Sequence, residues 1–213
     1  MENNVLAPSN HFSSVFYSIS KPGFLDSVKE VSQEALALSK SQQDPNAIHL
    51  AVMSTGINGD ARIVDFETFI AQSAWTILDS QGFDMTNFST FVNELWCQEH
   101  SQYSTMPQHT HQFGVQISGF YFLETPENSS MVELHDPRPG KVQASLPMKN
   151  PENITESNNS VFIKPEPGMF IFTNSWLPHS FTLNQSKEVS KFVHFNVSIM
   201  PNLAPQSNPA IVV

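Results

Sequence analysis

Apolar and polar positions divide this chain into two unlike halves. In the first, Leu25, Val28, Val31, Ala35 and Leu38 recur at spacings of three and four, which predicts a helix with one apolar face. Lys21-Pro22-Gly23 precedes it as a breaker, after a short extended start over His11 to Ile19. Phe66, Phe69, Ile70, Ala74, Ile77 and Leu78 make a second helical stripe, with Asp65 placed to cap its first amides and Gly82 to end it. From about Thr90 the pattern changes to short β-rich runs separated by Pro, Gly and Asn: 91–98, 115–123, 131–135, 161–164, 169–173, 180–183 and 191–199. Polar, proline-interrupted loops at 124–130 and 136–159 cannot continue a strand. The expected architecture is mainly β with N-terminal helices. A helical support region (1–89) packs on a β core (90–200), a tail follows (201–213), and the whole makes one globular domain.

Charge removes several functions. Twenty acidic residues against ten basic ones give a net charge of −10, so neither nucleic acid nor an anionic membrane is expected as a partner. The N-terminus has no basic and apolar leader, and no apolar run approaches the roughly 18 residues of a membrane span, so a cytoplasmic location is expected. The single cysteine, Cys97, flanks Trp96 in an apolar run and reads as a buried small hydrophobe. Eight histidines are then the remaining candidates for binding a transition metal.

Two of them, His109 and His111, stand at i and i+2 in Gln108-His109-Thr110-His111, so that in a strand both imidazoles share a face. A third, His179, ends Trp176-Leu177-Pro178-His179 at the mouth of another β run. Spacing alone leaves two readings open, a metal site and ordinary packed or surface histidines.

The order of motifs adds to this. His109/His111 is followed by Ser118-Gly119-Phe120-Tyr121, Asp136-Pro137-Arg138, Pro167-Gly168, Trp176-Leu177-Pro178-His179 and Phe195-Asn196. In this the chain resembles the 2-oxoglutarate- and iron(II)-dependent oxygenase superfamily, closest to a small, often phage-encoded group, across roughly Leu95 to Ser198. The resemblance implies a double-stranded β-helix, a cupin-like jelly-roll barrel. It also implies iron(II), 2-oxoglutarate as co-substrate, dioxygen, and hydroxylation of a small-molecule or protein substrate that the motifs do not name. For a phage-encoded protein the location would be the host cytoplasm.

Carried over by position, the resemblance places the metal on His109, His111 and His179. His111 stands where the superfamily has a carboxylate, and Asp136 is the alternative third ligand, completing a set of two histidines and one carboxylate. Three neutral imidazoles would leave the iron about one charge more positive, favouring an anionic co-substrate. Lys191, twelve residues past His179, is the expected partner of the 2-oxoglutarate distal carboxylate, with Arg138 as second candidate and Ser118 or Tyr121 as supporting hydroxyls. No side chain is required as a general base, because iron and co-substrate carry the chemistry. His194 reads as a packed or exposed histidine, and Trp75, Trp96 and Trp176 as core anchors. Two competing functions stay open: a cupin-type metal enzyme without 2-oxoglutarate, and a non-catalytic jelly-roll module of the virion or carbohydrate-binding kind.

Overall fold

The β runs assemble into two antiparallel sheets in the computed structural model, which describes residues 9–202 except 45 and 47, together with residue 7. In chain order the elements are β1 (Phe16–Ser20), α1 (Leu25–Ser41), β2 (Ala51–Gly56), α2 (Val64–Ser80), β3 (Phe88–His100), β4 (Met106–His109), β5 (Val115–Glu124), β6 (Val132–His135), α3 (Pro139–Gln143), β7 (Ser160–Ile163), β8 (Met169–Asn174), β9 (His179–Phe181) and β10 (Ser190–Pro201). One sheet has the order β1-β8-β5-β10-β3-β2 and the other β4-β9-β6-β7. This is the two-sheet jelly-roll arrangement. The expected tail lies outside the described residues beyond 202.

Both faces of the six-stranded sheet are covered, and alternation along its strands sorts residues between two cores. Val193, Phe195 and Val197 of β10 and Tyr121 and Leu123 of β5 face the helices, packing with Val28 and Val31 of α1 and Phe66, Ile70 and Ala74 of α2. Phe192, Phe120 and Phe122 point the other way, into the space between the sheets, against Phe181, Leu134 and Val132. There Phe181 and Phe192 stack with ring centroids 4.5 Å apart. Burying each such ring contributes about 1.5–3 kcal/mol, so this end of the barrel is closed by aromatic packing. Gly119 sits where β5 passes β8 most closely: a Cβ there would lie 2.2 Å from the Ile171 carbonyl oxygen and 2.4 Å from the Phe195 ring.

Two local expectations are corrected and one holds. Asp65 lies inside the first turn of α2, and the capping carboxylate is Asp60, which accepts from the Arg62 amide ahead of the helix. Gly82 does end α2, with φ +92°, the left-handed conformation glycine adopts without strain. His109 and His111 do not share one regular strand, since β4 ends at His109. The His111 amide instead donates to the Ser175 carbonyl, beside β8, which holds the chain in place beyond the strand end.

Candidate metal centre and its cavity

His109 and His179 are opposite partners in the β4–β9 ladder, and His111 follows one turn of chain later. Potential ligand atoms of the three all lie within 4.8 Å of one another. The Nε2 atoms of His111 and His179 are 3.3 Å apart. Two nitrogens at that separation, each about 2.1 Å from a common ion, subtend about 100° at it, inside the range between octahedral and tetrahedral coordination.

The backbone fixes which nitrogens are available. His179 Nδ1 lies 3.0 Å from the Leu177 carbonyl oxygen and His109 Nδ1 lies 2.9 Å from that of Pro107. A carbonyl only accepts, so each ring donates through Nδ1–H and keeps an Nε2 lone pair for the cluster. Burial then holds the His111 and His179 imidazoles neutral. It pushes His111 down to about 3 and His179 down to about 4, with the neighbouring rings adding to the effect on each. Neutral imidazole is the form that ligates a metal. The donor set fits a transition metal with open positions.

His194, expected as an ordinary histidine, is a wall of this centre. Its ring is 1% exposed, 4.9 Å by centroid from His111, and stacked on Trp96 at 4.3 Å. It shares the inner face of β10 with Phe192 and Asn196. A cavity of about 550 Å³ opens beside the cluster, lined by His109, His111 and His194 and by Asn93, Glu94, Trp96, Gln98 and Asn196 from the inner faces of β3 and β10. Trp96 is thus not a core anchor, and its buried Nε1–H has no acceptor.

The expected co-substrate residues are not all brought to this place. Lys191 lies on the opposite face of the six-stranded sheet, with Nζ 3.1 Å from Glu124 Oε2 and 3.8 Å from Glu99 Oε2, and Glu99 also pairs with Lys40 of α1. Tyr121 faces the helices and donates to the Lys21 carbonyl. Its hydroxyl is pushed up to about 12 by burial. Arg138 lies in a separate pocket and forks onto Asp136. That contact holds the Asp136 carboxyl down at about 2. Asp136, the alternative third ligand, is therefore an ion-pair partner outside the histidine cluster. Of the four, Ser118 alone is on the inner face, with Oγ 3.3 Å from His194 Nε2. No Lys or Arg lines the cavity among the described residues. The donors it does present are neutral: the unpartnered Trp96 N–H and the Gln98 amide.

One other expectation holds. Cys97 is fully buried and its thiol is pushed up to about 12 by desolvation, which excludes it as a nucleophile near neutral pH. His135, apart from the cluster, bonds Ser180 on the outer face of the four-stranded sheet.

Comparison with known proteins agrees with the geometry. Residues 94–196 match a family model described as "Putative 2OG-Fe(II) oxygenase". Similar solved structures include AviO1 from Streptomyces viridochromogenes Tue57, at 12% identity and TM-score 0.60, covering 90% of this chain and 92% of that one. A Pseudomonas putida prolyl-4-hydroxylase matches at 8% identity and TM-score 0.57, covering 87% and 94%. The epimerase SnoN, solved in complex with Fe3+, alpha ketoglutarate and nogalamycin RO, matches at 14% identity and TM-score 0.58, covering 92% and 88%. At these identities the likeness is one of fold. No curated protein matches the sequence. The matched segment, 94–196, is similar to putative 2OG-Fe(II) oxygenases and contains all three histidines of the cluster, a donor set that fits iron(II).

Proposed function

Starting from this similarity to oxygenases, we propose that His109, His111 and His179 hold the iron(II) through Nε2, and that the chain hydroxylates a C–H bond of a substrate entering the cavity beside them. The observation carrying this is the convergence of three imidazoles, two of which, His109 and His179, have the free nitrogen set by a backbone carbonyl. When bound, iron(II) and 2-oxoglutarate supply the oxidation, in which one atom of dioxygen enters succinate as carbon dioxide is lost and the other enters the substrate.

The side chains supply position and dryness. His194 and Phe120 pack against His111 and His179 and fix their ring planes. The phenylalanines of the closed end exclude water from beneath the cluster. Trp96 Nε1–H and Gln98 receive a carboxylate of the co-substrate, with Ser118 supporting His194. No side chain moves a proton in the oxidation.

We also read the chain as one of the small phage-type group, on its motif order, and as cytoplasmic. Among the described residues no helix is long and apolar enough to cross a membrane. The test is anaerobic reconstitution with iron(II) of protein lacking a histidine tag, followed by succinate release from 2-oxoglutarate. One iron per chain and iron-dependent succinate, both lost in His179→Ala, are expected. Succinate release that survives in His179→Ala would overturn the assignment.

A further inference from the structure

The cavity carries a charge pattern that the metal centre does not explain. Glu94 is the only charged side chain lining it among the described residues. Its Oε2 accepts from Asn196 Nδ2, and no protein donor is bonded to its Oε1. That bond also fixes the Asn196 amide, because only the NH2 group donates to a carboxylate. Asn196 Oδ1 is therefore turned elsewhere, and in a residue 3% exposed it has no partner. Asn93 Oδ1 is likewise buried and unpartnered.

These groups share one cavity wall because of a β-bulge. In the β3–β10 ladder Asn196 pairs with Glu94 and Val197 with Val92, so Asn93 is left out of the register. An extra residue of this kind re-aims a side chain that regular alternation would send to the other face. Asn93 and Glu94, adjacent in sequence, thereby line the same cavity as Asn196. The result is three oxygen acceptors lacking protein donors, one of them on a carboxylate, with no Lys or Arg lining the cavity among the described residues.

Resting on the oxygenase reading above, we propose that the primary substrate carries an alkylammonium or guanidinium group, received by Glu94, Asn93 and Asn196 at the end of the cavity beyond Trp96 and His194. An ammonium brings three N–H donors and no acceptor, and a guanidinium five. Glu94 is exposed to solvent, so a neutral hydroxyl or carbonyl substrate gains nothing from its charge, and an anionic one is repelled. The net charge of −10 draws cations toward the protein. Position adds a constraint on shape. Glu94 and Asn196 lie two residues along their strands from Trp96 and His194, about 7 Å, and the His194 ring touches His111. The charge is thus held several bonds from the carbon beside the metal, as in a flexible basic side chain or an alkyl amine.

The test measures cation binding apart from turnover. Calorimetric titration of the metal-free chain with lysine, arginine, spermidine and a lysyl peptide is compared with norleucine and citrulline, the neutral counterparts. At least one cationic probe is expected to bind, with affinity falling as salt rises and with the neutral counterparts at least about tenfold weaker. Whether the free amines or the peptide bind more tightly tells which source supplies the group. Glu94→Gln keeps an acceptor for Asn196 and removes the charge. With its melting temperature confirming the fold, it is expected to bind the preferred probe about tenfold or more weakly. Cationic probes binding no better than neutral ones, or equally to Glu94→Gln, overturn the proposal. Succinate release measured separately keeps the two readings apart. Succinate without cation selectivity sinks this inference alone, and cation binding without iron-dependent succinate sinks the oxygenase reading alone.

Discussion

Metal binding should be readable as heat stability, with a size the geometry sets. His111 and His179 are already unprotonated and desolvated, with Nε2 atoms 3.3 Å apart, so an ion binds without first displacing protons at pH 7 or rearranging the rings. At a free metal concentration one hundred times its Kd, binding to the folded state alone adds about 2.7 kcal/mol. In a domain of this size each kcal/mol moves Tm by about 2–4 °C, giving a rise of about 5–11 °C. Removing the His179 imidazole takes one of three ligands. If affinity falls about a hundredfold, the same metal concentration adds only about 0.4 kcal/mol, or about 1–2 °C. Differential scanning calorimetry at pH 7, with and without anaerobic iron(II), compares the rise in wild type, His179→Ala and His135→Ala. Taking the rise for each variant cancels whatever the substitution itself costs the fold. His135 lies outside the cluster, so its variant should keep the full rise. A full rise in His179→Ala, or its loss in His135→Ala, would refute the assignment of ligands.

Three further outcomes follow from where side chains lie. Lys191→Met should leave the affinity for 2-oxoglutarate unchanged within about twofold and cost about 1–3 kcal/mol of stability in urea titration, because Lys191 compensates the buried Glu99 on the helix side; a large loss of co-substrate affinity would put Lys191 back in the site. Trp96→Phe keeps a ring to stack on His194 but removes the unpartnered N–H, so co-substrate affinity read by calorimetry on the iron-loaded protein should fall about tenfold, and an unchanged value would exclude that donor. His100, 1% exposed, is pushed down to about 4 by desolvation from its ordinary 6.5. Above pH 6.5 neither state protonates it, whereas between 6.5 and 4 the unfolded chain binds a proton that the fold refuses, so stability falls with pH by about 1.4 kcal/mol per unit from this group. His100→Asn should flatten that part of the pH–stability curve, and an unaltered slope would contradict the shift.

The seven β runs visible in the sequence all became strands, since Phe, Val and Ile bounded by Pro, Gly and Asn leave little choice. Two strands were missed for local reasons. β4, Met106-Pro107-Gln108-His109, is four residues long, contains proline and has no alternation, and β2 is an edge strand of mixed polarity. The three converging histidines were legible because motif order marks them. The co-substrate partner was not, because counting residues past His179 reaches Lys191 without asking which way it faces. Its face cannot be read from polarity: Lys191, Val193, Phe195 and Val197 on one side and Phe192, His194 and Asn196 on the other both meet a core, as happens when a sheet is covered on two sides. Tyr121 was misplaced for the same reason, one position out of phase with Phe120 and Phe122.

Parity along β10, once the face is known, orders the whole interior. Phe192 belongs to the aromatic plug, His194 stands level with the histidine cluster, and Asn196 reaches the acceptor end, each about 7 Å beyond the last. β3 repeats the gradient opposite it, from His100 and Gln98 through Trp96 to Glu94. The two adjacent strands therefore grade the barrel from dry and aromatic to polar and anionic, with the three imidazoles between. A substrate following this gradient would lay its apolar part toward the histidine cluster and leave its charge at the wall, where the bulge at Asn93 breaks the β3–β10 pairing. Because the bulge is a property of backbone register, Glu94→Gln alters charge and leaves the geometry of the wall in place. The two contributions, placement by the fold and selection by charge, are separable for that reason.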